Sequence, residues 1–567
     1  MNTRNEKAPA TSYSAPDYQR AVVNSALWAA AGDALGWITE LSHGASGVER
    51  RTGSRKVSEP VPWKRLIGGR SGVTVDLPAG TYSDDTQLRL CVSRAISANG
   101  TFDVEAFAKI EVTSWQGYCL GAGIGSKAAA ANLSKRGVNW FSNFFSSDRQ
   151  KYVTAGGNGA AMRIQPHIWS ARGTLDDLVL RVMRDAVVTH GHPHGFCGAV
   201  FHALCLWDTL IRKEVPSIDC AIEYVSVCGR LPEIIEKDNE LSSFWKPTWE
   251  REASQSFDTA IRNFQEEAIR DISIVQGLVE KNSTPNYHEV LEGLGCLTDQ
   301  FRGSGFKTAL AALFLSELHT PSEIEDALIE SANELESDTD TIASMAGAIL
   351  GALSTREPNW SIQDASYLRA EALRMASVAR NEEASSFTYP DVSAWEPPTN
   401  QSDAVVYWKN TLALSGIGEL KPKGPEYNAG SAIWQWFELP FGQSVLAKRR
   451  AKITNSVDDK QMPRPSVPQR PDPKQEIGKE QPDIFEHAER QAHTIEDRQR
   501  SNVRQQHRPE RYPGLDRASD IIINSGFDEV IIGRLLKLAI DETGGIEAAV
   551  ALSAIVAKAR LARMRRR

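Results

Sequence analysis

Apolar and small residues recur at three- and four-residue spacing through the first two thirds of the chain. "DYQRAVVNSALWAAAGDALG", residues 17–36, keeps that period and closes on a glycine, which predicts a helix ending at Gly36. "TQLRLCVSRAISANG", "FKTALAALFLSELH", "SEIEDALIESANE" and "SYLRAEALRMASVARN" repeat the pattern. Strand-type alternation is rare, and "GGRSGVTVDLPAG" is the stretch that would take a few short strands. The pattern predicts an all-α domain.

The helical period is confined to residues 17–385. Residues 1–16 read as a disordered tail. Residues 386–445 turn proline-rich and aromatic ("TYPDVSAWEPP", "AIWQWFELPF"), an accessory region that is either a small unit or an extended wrap on the helical core. Residues 446–512 are charged, Gln- and Pro-rich and poor in apolar side chains, the composition of a disordered linker. From 513 to 567 the period returns on both sides of a Gly-Gly break, which predicts a small C-terminal helical hairpin. There is no internal repeat.

Composition narrows the function. A chain of 567 residues with 41% hydrophobic content can fill a large core. A net charge of -8 gives no global argument for nucleic acid. No uninterrupted apolar run reaches the roughly 18 residues that a membrane span needs. The N-terminal stretch lacks the apolar middle of a signal peptide. The 7 cysteines are scattered without a C-x-x-C pair, so neither a disulfide framework nor a zinc ribbon is expected. A reduced, cytoplasmic setting without a membrane partner fits best.

Two acidic clusters carry the chemistry. In "YSDDTQ", Ser83 is a helix N-cap with Asp84 and Asp85 in the first turn. In "ESDTDTIASMAG", Asp338 and Asp340 precede an apolar helix, with Thr341 after them. Capping and the helix dipole would explain one acid in each cluster. Four carboxylates brought together repel unless cations join them. Hard oxygen donors favour Mg2+, with Mn2+ as a substitute, and two ions about 3.5–4 Å apart are the usual binuclear arrangement.

Other motifs are weaker singly. "AAAGDALGWITE" places Asp33 and Glu40 around small residues; Asp33 is either a buried hydrogen-bonding acid or part of the site, and Glu40 a surface residue or an acid/base gate. "GYCLGAGIGSKAAA" and "TAGGNGAAMRIQP" are glycine loops suited to oxyanions, with neither a Walker lysine nor a dinucleotide fingerprint. "THGHPHG" reads as a loop before a small-residue helix rather than a His metal site. The final "KARLARMRRR" is a solvated helix end or a patch for nucleic acid or another anionic partner.

In this order, "GDALGWITE", "YSDDTQ", "GYCLGAGIGSKA", "GGNGAAMR", "THGHPHG" and "ESDTDTIASMAGAILGA" resemble the ADP-ribosylglycohydrolase family, over about residues 17–380. The resemblance implies an orthogonal all-α bundle around a binuclear Mg2+ centre. Its metal ligands would fall on Ser83, Asp84, Asp85, Asp338, Asp340 and Thr341. ADP-ribose would lie against Gly123, Gly157 and Asn158, with His190 beside its distal part. Glu40 would be the flexible glutamate over the metals, and Asp84 or Glu40 the base.

Ser83 stands where threonine is commoner in the family, and Glu336-Ser337 where many members have two glycines. Residues 140–153 and 229–262 are longer than a minimal domain needs and are expected to shape the mouth. The implied reaction is Mg2+-dependent hydrolysis at the anomeric C1″ of an ADP-ribosylated protein or small molecule. The rival readings are a non-catalytic ADP-ribose binder and an assembly protein whose C-terminal hairpin takes a protein partner. Nothing in the family pattern accounts for residues 387–567.

Overall fold

The computed structural model describes residues 8–69, 72–281, 286–464 and 514–543, with a few single positions beyond 548. It divides into two compact units, Met1–Asp472 and Pro473–Arg567.

Helices dominate the first unit. Those that build the site are α1 (Ala15–Thr39), α2 (Asp84–Ala95), α3 (Ile124–Leu133), α4 (Pro193–Arg212), α5 (Gly305–Leu318) and α6 (Thr339–Leu353). The N-cap of α1 is Ser14, whose Oγ accepts the Asp17 N–H at 3.3 Å. From Ala21 to Thr39 every residue of α1 is buried, so it is a central helix without a solvent face. It does not stop at Gly36 but continues to Thr39. Gly36 serves a close approach there, not a C-cap. α4 is long and apolar enough to cross a membrane by composition, but 94% of its apolar window is buried inside the protein, as in a core helix.

The expected short strands include β2 (Val73–Leu77), which pairs antiparallel with β1 (Trp63–Ile67) upstream of the stretch that suggested it. The aromatic region after the helices is built of strands. β3 (Val405–Trp408), β4 (Thr411–Leu414) and β5 (Gly418–Glu419) form one antiparallel sheet. β6 (Lys421–Ala429), β7 (Ala432–Glu438) and β8 (Ser444–Arg450) form a second, in that order. β6 is its edge, with Pro422 and Pro425 where a central strand could not accept them.

These sheets share the helical body's core: Trp434, Trp436, Phe437 and Leu446 are buried in the same apolar cluster as α1 and α6. Backbone bonds fix them there, including Lys448 N–H to Gly117 O at 2.8 Å. The ordered chain therefore runs through the boundary expected at 445, across β8 and on to residue 464. The rest of the expected linker lies outside the described residues. At the other end, Ala8 and Ala10 of the expected tail are buried against the body.

In the second unit, α7 (Leu515–Asn524) and α8 (Glu529–Thr543) bury Ala518, Ile522, Phe527 and Leu535 together. The first arm of the expected hairpin is thus itself two helices, broken where Gly526 (φ 76°) and Phe527 (φ 67°) turn left-handed. The Gly-Gly break lies outside the described residues.

Candidate active site

The site begins with two helices packed backbone to backbone. A Cβ on Gly36 would sit 2.3 Å from Thr339 O and 2.5 Å from Asp340 Cα. Gly32, Gly347 and Gly351 meet the opposite helix as closely. Thr339 Oγ1 donates to Gly36 O at 2.8 Å, and Ser25 Oγ to Ala348 O at 2.7 Å. The small-residue stripe therefore brings the acidic N-terminus of α6 against α1.

One acid does bond its own helix end: Asp340 Oδ1 accepts the Thr341 N–H at 3.0 Å. Asp338 occupies the N-cap of α6 but makes no side-chain cap bond; its Oδ2 accepts from Asn158 Nδ2 at 3.0 Å instead. At α2, Ser83 Oγ accepts the Asp85 N–H at 3.2 Å. Asp33, reaching from α1, accepts the Ser83 N–H at 2.8 Å and the Thr86 N–H at 2.9 Å. Asp33 is thus a buried brace for the "YSDDTQ" turn, and Asp84 and Asp85 remain available.

Thr341 Oγ1 donates to Asp85 Oδ1 at 3.3 Å and ties the two acidic motifs together. Asp85 Oδ2 is fully buried and has no hydrogen-bond partner among the described residues. Neither Glu336 nor Ser337 takes a positive φ, so the approach to α6 needs no glycine there. Ser337 is buried, and Arg302 Nε holds Glu336 O at 2.7 Å.

A cavity of 520 Å3 opens over these groups. Its lining includes Glu40, Asp84, Asp85, Asp338, Asp340 and Thr341, together with Gly123, Gly157, Asn158 and His190. Ser83 is buried beneath it and does not reach the wall. Gln150, from one of the longer stretches, lines the mouth; no residue of 229–262 does.

Burial pushes the carboxyl groups of Asp84, Asp85 and Asp340 well above the usual range, and repulsion from Glu40, Asp33, Asp84 and Asp338 adds to it. Glu40 is raised by burial and opposed by Arg65 of β1, whose Nη2 is 3.1 Å from Glu40 Oε2. Burial holds His190 down at about 3, so its ring is neutral. Its Nδ1 is 2.7 Å from Thr189 Oγ1, and its Nε2 faces Gly125, Gly157 and Gly159. His192 caps α4 and His194 meets Ser304 and Glu267, so the three histidines have separate partners.

Sequence reasoning missed three participants. Arg65 had no motif to mark it. The 299–304 loop lines the cavity and receives the Asn158 N–H on Gly303 O at 2.9 Å, which uses that donor up; the glycines of "FRGSGF" were its signal. In "GYCLGAGIG" the tightly constrained glycine is Gly121 (φ 83°), where a Cβ would sit 2.9 Å from Asp84 Oδ1, whereas one on Gly123 would meet nothing within 4 Å.

The donor set is chemically suited to a hard cation: carboxylates, a threonine hydroxyl and an unpartnered buried oxygen on Asp85. Among the described residues no three His, Cys, Asp or Glu side chains are drawn together closely enough to hold an ion as they stand. Uncompensated, the acids would share protons rather than all ionise.

Comparison with known proteins agrees with the motif order. The ADP-ribosylglycohydrolase family model matches residues 14–363, and the chain belongs to that family. It is 25% identical over 307 residues to the ADP-ribosylhydrolase ARH3 of Xenopus tropicalis, covering 51% of this chain and 79% of that protein. It is 27% identical over 179 residues to the ADP-ribosyl-[dinitrogen reductase] glycohydrolase of Rhodospirillum rubrum, covering 31% of this chain and 54% of that protein. A solved ADP-ribosylglycohydrolase-related protein complex aligns over 64% of this chain and 99% of its own, at 18% identity and a TM-score of 0.40.

Proposed function

We propose that this family member hydrolyses the glycosidic bond between ADP-ribose and a modified target, and that it needs Mg2+ to do so. The observation that carries the reading is the buried Asp85 Oδ2, unpartnered among the described residues, at a helix end that Ser83 and Asp33 cap in its place.

Asp84, Asp85, Asp338, Asp340 and Thr341 would hold two ions, with Ser83 beneath them, and Mn2+ could replace Mg2+. Bound there, Mg2+ supplies charge compensation for the acids and Lewis acidity toward the ribose hydroxyls and the attacking water. The chain's own residues do the rest. The N-terminus of α3, beginning at Gly123, presents backbone N–H groups suited to the diphosphate. Gly157 and the neutral His190 bound the ribose and the distal part of the ligand. Glu40 or Asp84 accepts the proton of the attacking water, and Arg65 keeps Glu40 oriented. The bond from C1″ to the target nitrogen or oxygen breaks, hydroxide adds to C1″, and the proton ends on the leaving atom.

The test is a panel of ADP-ribosylated arginine, serine, aspartate and nucleotide substrates, with Mg2+ and with EDTA. We expect release of free ADP-ribose only with the metal, and its loss by about a hundredfold or more in Asp340→Asn with the fold retained. Full activity in Asp340→Asn, or in EDTA, would overturn the metal-dependent reading. Tight ADP-ribose binding without turnover would identify a binding protein instead.

A further inference from the structure

A second cavity, of 660 Å3, shares Gly121 with the acid-lined one. The helical body contributes Trp37, Arg65 and Lys127 to its wall. Trp434 and Lys448 come from the C-terminal sheets and Gln401 from the turn before β3, all beyond the residues that the family model matches. The two cavities have opposite character. The first is walled by carboxylates; among the described residues the second is lined by Arg65, Lys127 and Lys448 and by no acidic side chain. Lys448 Nζ donates to Gln401 Oε1 at 3.3 Å rather than to a carboxylate. The indole N–H groups of Trp37 and Trp434, both buried, have no partner.

Arg65 couples the cavities: it lines the second and pairs with Glu40 at the first. Leu41 (44% exposed) and Leu66 (57% exposed) lie in the lining of the second and add an apolar edge to it.

We infer that the second cavity is the leaving-group subsite, and that it takes a peptide with carboxylate side chains beside the ADP-ribosylated residue. This rests on the hydrolytic reading of the first cavity. A target must extend away from C1″, and Gly121, without a side chain, separates the reacting acids from this chamber. Arg65 is paired with Glu40, but the positive charge of Lys127 and Lys448 is complementary to an acidic segment. The exposed leucines suit the apolar parts of a peptide.

A nucleic acid is disfavoured because both indoles are buried, Trp37 at 0% and Trp434 at 1% exposure. The Arg65 guanidinium lies 5.0 Å from the Trp37 ring centroid, and Lys448 Nζ is 5.7 Å from that of Trp434. Neither ring is left open for a base to stack upon. The C-terminal sheets would then be a specificity wall.

The experiment uses the full chain and two peptides carrying one ADP-ribosylated residue, flanked by glutamates in one and by lysines in the other. An ADP-ribosylated oligonucleotide and the free modified amino acid complete the set. We expect the glutamate peptide to have a kcat/KM about tenfold or more above the lysine peptide, expressed in KM and weakened by salt. Lys448→Glu should erase that preference and Lys448→Gln reduce it, with circular dichroism verifying the fold. Equal kcat/KM for the two peptides, a preference that survives in folded Lys448→Glu, or a preferred oligonucleotide would each overturn the subsite.

Failure of the wild type to cleave any substrate would instead overturn the hydrolase reading. Fluorescence anisotropy with the unmodified peptides then still decides the subsite: tighter binding of the glutamate peptide supports it, and equal binding ends it.

Discussion

Adding one methyl group at Gly36 tests the packing on which the site depends. Its Cβ would stand 2.3 Å from Thr339 O and 2.6 Å from Asp340 N, both backbone atoms that cannot rotate away. Ordinary contact requires separating α1 and α6 by about 1 Å locally. Overpacking of this kind costs about 1–3 kcal/mol, and unyielding backbone puts Gly36→Ala at the upper end. Alanine recovers about 1 kcal/mol of helix propensity in α1. The expected net loss is about 2 kcal/mol. The displaced atoms form the peptide link from Thr339 into Asp340, whose carboxylate moves with it, and a shift of about 1 Å in a reacting group can cost about a hundredfold in rate.

The assay pairs a urea-denaturation midpoint with the rate of ADP-ribose release. Gly123→Ala is the control for stability: its Cβ would meet nothing within 4 Å, and its φ of -65° is ordinary. That variant should stay within about 0.5 kcal/mol of wild type. A Gly36→Ala protein with wild-type midpoint and rate would refute the claim that helix contact positions the acids.

Two further predictions concern the acids themselves. Asp33→Ala removes the acceptor of two buried N–H groups, Ser83 and Thr86, and should lower unfolding free energy by about 1–3 kcal/mol for each; a denaturation midpoint unchanged from wild type would sink the bracing role. In EDTA, Asp84, Asp85 and Asp340 have folded-state pKa values well above the ordinary 3.8, so the folded protein binds more protons than the unfolded chain. Their stabilising contribution is therefore complete below about pH 3.8 and is lost as pH rises through the folded pKa values. Thermal scans in EDTA should show this contribution declining as pH rises above about 3.8, and Mg2+ should reverse the decline; a Tm insensitive to both would contradict the prediction.

The local sequence determined a great deal because the relevant physics is local. Helical period, the Ser83 cap and the glycine loops are properties of a few adjacent residues. The motif order then singled out the family. What it could not convey was which partner each side chain would find. Gly36 looked like a helix stop, since a glycine after an apolar run usually is one. Only the backbone of α6, more than 300 residues away in sequence, makes it a contact point.

Asp33 could have been a buried hydrogen-bonding acid or part of the site, and two N–H groups of the next motif make it the former. Arg65 lies on a strand whose partner is visible but whose ion pair with Glu40 is not. The aromatic region after the helices carried prolines and tryptophans without a clear period, because β7 and β8 are buried on both faces and do not alternate. The acids and their order were written in the chain. Their shared cavity, the duties of their neighbours and the basic chamber beside them were decided by long-range packing, which no local pattern encodes.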